Sequence, residues 1–180
     1  MAVLPIRQWG DPVLRARARE VERVTDGHRR LAADMLDTMR DAPGVGLAGP
    51  QVGVSERIFV WELDDEHGVV INPVISVRSA EEIEDEEGCL SMPGLLYPVV
   101  RHQGVVVEGI DESGAAIRID ATDLLARIFQ HEIDHLDGTL FIDRLEPALK
   151  REALAVLRDR ALGFASGVGP PAADGAGAAL

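Results

Sequence analysis

The run His131-Glu132-Ile133-Asp134-His135 sets two imidazoles four positions apart with a carboxylate directly beside the first, the residue pattern of a hydrolytic metal site. On a helix of about 3.6 residues per turn, positions i and i+4 stack on one face, so one divalent ion can accept both ring nitrogens. A metal held by three protein ligands keeps a fourth position for water and lowers that water's pKa toward about 7. Glu132 adjoins a ligand but points to its side, which suits it to take the proton and later deliver it to a leaving amine. Metal-assisted hydrolysis of an amide is the chemistry these residue types favour.

Two histidines leave the third protein ligand to be found. One protease class continues the pattern as H-E-x-x-H-x-x-G-x-x-H; this chain follows it through Gly138 and then has Phe141 where the last histidine would stand. A downstream carboxylate, Glu146 or Glu152, would make a His2Glu zinc site. Upstream, Cys89 is the only cysteine and sits in Glu87-Gly88-Cys89-Leu90-Ser91, where glycine lets the backbone approach another element closely. With Cys89 as a thiolate the set becomes Cys89, His131 and His135. A thiolate offsets more of the metal's charge than an imidazole does, so the nearby base Glu132 matters more.

Three stretches, in order, resemble the motifs of the peptide deformylases: Gly44-Val45-Gly46-Leu47-Ala48-Gly49-Pro50-Gln51, then Glu87 to Ser91, then Gln130 to Gly138, reading QHEIDHLDG. The likeness runs from about Pro5 to about Leu162. Gly49 departs from it, standing where the family usually has alanine; it should loosen a turn while leaving Gln51 in place. The resemblance implies a metallohydrolase that removes the N-formyl group from the initiator methionine of newly made polypeptides, releasing formate and a free N-terminus. It implies that the Gln51 side-chain amide and the Leu90 backbone N–H stabilise the oxyanion, each such donor being worth on the order of 10²-fold or more in rate. It also implies Fe²⁺ in the cell, although imidazole and thiolate ligands accept Zn²⁺, Ni²⁺ or Co²⁺ as well. Gly44, Val45 and Gly46 would offer open backbone for an extended peptide to pair with. Val45, Leu124 and Ile128, near the motifs, are candidates for a pocket that takes the methionine side chain.

Two other functions fit parts of the pattern. A different H-E-x-x-H zinc amidase or protease, with Glu146 or Glu152 as third ligand, predicts that Cys89→Ala keeps its metal. A non-catalytic binder of formylated N-termini would have no evident use for Glu132. A third match is a decoy: Gly44 to Gly49 reads as the G-x-G-x-x-G dinucleotide fingerprint, which requires a strand before it and a helix after it. Here an amphipathic helix precedes it, and Pro50 and the strand-like Arg57-Ile58-Phe59-Val60-Trp61 follow.

The elements that must hold these residues follow from periodicity. Leu124, Leu125, Ile128, Phe129 and Leu136 recur at helical spacing around the histidines, Asp120 or Thr122 can cap that helix, and Gly138 sits at a left-handed stop. A short helix capped by Asp11-Pro12 and a longer one over Asp26 to Arg40, with Leu31, Met35, Leu36 and Met39 on one side, lead the chain. Strands are predicted at Arg57 to Leu63, Val69 to Asn72, Val74 to Arg78, Val99 to Ile110 and Ala115 to Ile119, with a hairpin turn at Asp111-Glu112-Ser113-Gly114. Pro147 to Leu162 reads as a final helix with Leu149, Ala153, Val156, Leu157 and Ala161 inward and Lys150, Arg151, Arg158 and Arg160 elsewhere. Strands grouped before the histidine helix indicate an α+β fold: mostly antiparallel sheets packed around a central H-E-x-x-H helix, with N-terminal helices and a C-terminal helix.

At 180 residues and 46% hydrophobic, the chain can bury one core of ordinary size. Residues 1–164 are read as a single catalytic domain and 165–180, nearly all Ala, Gly and Pro, as a flexible tail. No signal peptide or membrane span is visible and one cysteine suits a reducing compartment, so the expected location is cytoplasmic. A net charge of −13 disfavours broad nucleic-acid binding. The acidic run Glu81 to Glu87 is read as a solvated loop. The basic outer face of the last helix is a candidate for transient contact with the ribosome, weighed against ordinary packing on the body.

Overall fold

The computed structural model describes residues 2–163, so the expected tail at 165–180 lies outside the described residues. A 3-10 turn at Pro12–Arg15 precedes helix α1 (Asp26–Asp41), strand β1 (Gly46–Ala48) and a second 3-10 turn at Gly49–Val52. Six strands follow: β2 (Ile58–Leu63), β3 (Glu66–Arg78), β4 (Glu82–Gly88), β5 (Leu96–His102), β6 (Gly104–Ile110) and β7 (Ala116–Thr122). Helix α2 (Asp123–Leu136), a short turn at Phe141–Asp143 and helix α3 (Pro147–Ala161) complete the order. The strands pair antiparallel as a five-stranded sheet, β1-β2-β3-β6-β7, and a two-stranded sheet, β4-β5. This is the α+β arrangement anticipated.

Strand β2 shows why the helices sit where they do. Ile58, Phe59, Val60 and Trp61 are all buried, and successive side chains of a strand point to opposite faces, so both faces of the sheet need cover. Phe59 and Trp61 pack with Ile128, Phe129 and Ile133 of α2, while Ile58 and Val60 pack with Met35 and Met39 of α1. The rings of Phe59 and Trp61 each lie 5.5 Å from that of Phe129. On its other side α2 meets β5, and a further cluster joins Tyr97, Val99 and the Cys89–Leu95 loop to Ala153, Val156 and Leu157 of α3. Helix α2 is therefore enclosed between the two sheets, and every residue from Ala126 to Leu136 is buried.

Several elements differ from the sequence reading. The acidic run is not a loop: Glu82 to Gly88 form β4, in register with β5 from Glu82 opposite His102 to Gly88 opposite Leu96. Strand pairing uses only backbone groups, so Glu82, Glu84 and Glu86 stay exposed while Glu87 is buried. The predicted strand Val99 to Ile110 is two strands in different sheets, broken at Gln103, whose N–H bonds Glu81 O and whose carbonyl accepts Asp123 N–H. The two segments around Pro73 are one strand with a register shift between Ile71 and Val74, where Asn72 takes a positive φ of 52°. Nor does Gly49 loosen its turn: a Cβ there would lie 2.8 Å from Val54 O and 2.9 Å from Glu56 O, so the backbone has closed against it.

Gly138 ends α2 at φ +74°, and a Cβ on it would stand 2.6 Å from the Arg15 carbonyl oxygen. Both the left-handed backbone and the contact require glycine. Gly138→Ala is expected to lower stability by about 1–3 kcal/mol in urea unfolding. Unfolding curves that superimpose on wild type would contradict this account of the helix stop.

Candidate metal centre

Cys89 Sγ, His131 Nε2 and His135 Nε2 lie within 4.8 Å of one another, and all three residues are buried. Helix α2 supplies both histidines one turn apart, as its sequence demands, and the turn after β4 brings Cys89 over them. The two Nε2 atoms face each other at 3.1 Å, and Cys89 Sγ is 3.3 Å from that of His135. The Nδ1 of His131 is 2.6 Å from the Glu87 carboxylate, which accepts its proton and leaves Nε2 with a lone pair. Three soft or borderline donors converging in this way suit a divalent transition ion, the need for which is sharpest where ring nitrogens point at each other. Burial pushes the Cys89 thiol up to about 12, with Glu132 and Glu87 adding to the rise, so its thiolate form calls for a cation beside it. Burial likewise pushes His135 well below the ordinary histidine range, assisted by His131, which keeps it neutral as a ligand must be.

Two buried carboxylates frame this cluster and have opposite surroundings. Burial alone would raise Glu87, yet the hydrogen bond and charge of His131, together with those of Arg101, hold it well below the usual carboxylate range. Arg101 donates to it through Nε at 3.0 Å and a terminal nitrogen at 2.6 Å, and Arg127 adds a bond of 3.1 Å. Arg101 also reaches Asp134 at 2.6 Å, and Arg144 clasps the same Asp134 at 2.6 and 3.1 Å. Glu132, by contrast, is fully buried and neither carboxylate oxygen has a partner among the described residues. Burial, then the charge of Glu87, pushes it well above its ordinary value. A carboxylate with its proton affinity raised in this way takes a proton more readily than an ordinary one, which suits a general base. Gly46 backs onto it, and a Cβ there would run into Glu132 Oε1.

The Gln51 side chain is fixed end by end. Its Oε1 accepts the Ala48 N–H at 2.7 Å, which turns Nε2 toward Cys89 Sγ at 3.7 Å and Ser91 Oγ at 3.4 Å. The Leu90 N–H, beside Cys89, donates to no acceptor among the described residues. The Gln51 amide thus borders the three candidate ligand atoms, and the Leu90 N–H follows Cys89 directly in the chain. Val45 and Ile128 share one apolar cluster, but Leu124 is 42% exposed and outside it, the neighbouring Leu125 packing there instead. Glu146 is exposed at the start of α3 and Glu152 accepts from the Tyr97 hydroxyl, so neither joins the histidines.

Arg101, Arg127, Asp134 and Ser91 were not singled out in the sequence. A signal existed for two of them: Arg101 falls on the inward phase of β5 with Tyr97 and Val99, and Arg127 interrupts an apolar stretch of α2. Charges at buried positions of a strand or helix need partners.

The family model described as polypeptide deformylase matches residues 3–151. Peptide deformylase of Acidothermus cellulolyticus is 49% identical over 159 residues, 88% of each chain. Among solved structures, that of peptide deformylase from Thermus thermophilus is 48% identical with a TM-score of 0.84, covering 90% of this chain and 97% of that one. The Ehrlichia chaffeensis peptide deformylase in complex with actinonin is 37% identical with a TM-score of 0.85, covering 89% and 98%.

Removing one partner of a buried ion pair strands the others. Arg101→Met is expected to cost about 3–5 kcal/mol in denaturant unfolding. A loss below about 1 kcal/mol would mean that Glu87 and Asp134 do not depend on it.

Proposed function

Because the chain belongs to the peptide deformylase family, we propose that it hydrolyses the N-formyl group of the initiator methionine on new polypeptides, giving formate and a free N-terminal amine. The observation that carries this reading is the orphaned, fully buried Glu132 carboxylate beside three convergent metal-ligating atoms. A non-catalytic binder has no use for a base in that state, and a His2Glu zinc site is not favoured because Glu146 and Glu152 lie apart from the histidines.

Cys89, His131 and His135 would hold one divalent ion, Fe²⁺ in the cell by family likeness, with Zn²⁺, Ni²⁺ or Co²⁺ accepted by the same donors. When bound, such an ion supplies Lewis acidity that makes water a better nucleophile and polarises a carbonyl. Glu132 takes a proton from the attacking water and passes it to the methionine nitrogen as the formyl C–N bond breaks. The Gln51 amide and Leu90 N–H donate to the carbonyl oxygen as negative charge develops there, and Ala48 holds Gln51 in that orientation. Glu87, kept ionised by Arg101 and Arg127, orients the His131 ring. Gly44 to Gly46 present backbone to the extended peptide, and Val45 and Ile128 begin the methionine pocket.

Residues 1–164 are the catalytic domain in this reading, working in the cytoplasm where chains are made; no helix among the described residues is long and apolar enough to cross a membrane. Transient contact with the ribosome is assigned to the outer face of α3, supported by exposed Arg151 and Arg158.

The decisive measurement is formate release from an N-formyl-methionyl peptide by protein purified without oxygen and loaded with Fe²⁺ or Ni²⁺. Wild type should turn over, and Glu132→Ala should lose about 10²- to 10⁴-fold in kcat while keeping its metal. Cys89→Ala should lose bound metal by elemental analysis; metal retained there would revive a carboxylate third ligand. No formate from a fully metallated wild type would sink the reading. For α3, Arg151→Glu with Arg158→Glu should abolish co-sedimentation with ribosomes, and undiminished co-sedimentation would place the contact elsewhere.

A further inference from the structure

The two proposed oxyanion donors stand on separate parts of the fold. Gln51 is on the 3-10 turn Gly49–Val52, which grows from β1 of the five-stranded sheet, whereas Leu90 is on the turn that leaves β4 of the two-stranded sheet. Directly between the two turns, the Gln51 amide makes only long contacts, 3.7 Å to Cys89 Sγ and 3.4 Å to Ser91 Oγ.

Three consecutive residues of the N-terminal segment bridge the gap. The Arg7 N–H donates to Gln51 O at 2.7 Å, the Trp9 N–H donates to Ser91 O at 2.9 Å, and Gln8 Nε2 reaches Leu90 O at 3.4 Å. The segment is pinned on both sides. Upstream, the Leu4 N–H donates to Thr38 Oγ1 of α1 at 2.9 Å. Downstream, Asp11 caps the turn Pro12–Arg15, which buries Leu14, and the half-buried Trp9 packs against the apolar cluster that also holds Cys89 and Met92. A strap fixed at both ends, bonded to the backbone of both donor turns, sets the distance between them.

Resting on the reading of Gln51 and Leu90 as oxyanion donors, we propose that Arg7, Gln8 and Trp9 form a positioning strap that holds those donors at the spacing the reaction requires. Backbone hydrogen bonds do this work, so the identity of the Arg7 side chain matters little and its N–H matters much. Misplacing a reacting or stabilising group by about 1 Å can cost on the order of 10²-fold in rate. None of the strap's hydrogen bonds to the two turns goes to Cys89, His131 or His135, so its loss should appear in kcat and leave substrate affinity and metal content alone.

The test is a double-mutant cycle on the metal-loaded full chain, with formate release as the rate and metal stoichiometry measured for each variant. Arg7→Pro removes the N–H and should lower kcat roughly tenfold or more with KM changed by less than about twofold. Arg7→Ala, which keeps the N–H, should retain the wild-type rate. Arg7→Pro combined with Gln51→Ala should be no slower than Gln51→Ala alone, because the strap acts through that donor. Should Arg7→Pro not fold, Trp9→Ala takes its place in the same cycle. A slow Gln51→Ala beside wild-type rates in Arg7→Pro and Trp9→Ala overturns the strap, as does an additive loss in the double variant or an Arg7→Ala as slow as Arg7→Pro. A Gln51→Ala enzyme at the wild-type rate removes the oxyanion reading itself, and the strap falls with it.

Discussion

The carboxylate of Glu87 is the constraint around which the molecule is arranged. Helix α2 is buried at every residue from Ala126 to Leu136, yet it carries Arg127, Gln130, His131, Glu132, Asp134 and His135 into the interior. Charges taken out of water must be paired and hydrogen-bonded, or they neutralise. Glu87 answers for His131, Arg101 and Arg127 at once, and Asp134 takes up what Arg101 has left and binds Arg144 at the surface. The two-stranded sheet exists in part to deliver this set: β4 brings Glu87 and β5, in register opposite, brings Arg101. Replacing such a network by apolar residues need not lose stability, so its retention points to the geometry it imposes on His131.

Against that saturated carboxylate stands Glu132, one position along the helix from His131 and without a single partner among the described residues. The contrast separates two roles by environment alone. One carboxylate is surrounded by cations and donors and stays ionised as an orienting group. The other is desolvated beside the first one's charge and holds a proton more tightly, which suits the proton-transfer role proposed for it. Glycine maintains the separation, since any side chain at Gly46 would press on Glu132.

Most of the candidate site was legible in order and spacing. H-E-x-x-H at helical period, a single cysteine in a glycine-bearing motif and a helix stop at Gly138 are local facts, because i to i+4 geometry and left-handed caps depend on neighbours in the chain. The β-branched runs gave most strands for the same reason. Local reasoning went astray where partners are distant. Glu82 to Gly88 looks like a solvated loop because its side chains are solvated, but its backbone pairs with β5, which a side-chain pattern does not reveal. Leu124 and Leu125 are equivalent in composition, and only the packing of α2 on the sheet decides that Leu125 turns inward.

Residue type and short-range period were enough to set out His131, Glu132 and His135 as candidates and to give the fold class, since these depend on neighbours along the chain. How tightly each carboxylate holds a proton became visible only in three dimensions. Glu87 and Glu132 are the same residue type, and their opposite shifts arise from His131, Arg101 and Arg127 reaching one while the other has no hydrogen-bond partner among the described residues. The fold likewise lays Arg7 to Trp9 across the turns of Gln51 and Ser91, contacts between segments far apart in the chain. Burial and electrostatics depend on distances through space, and no spacing along a sequence encodes them.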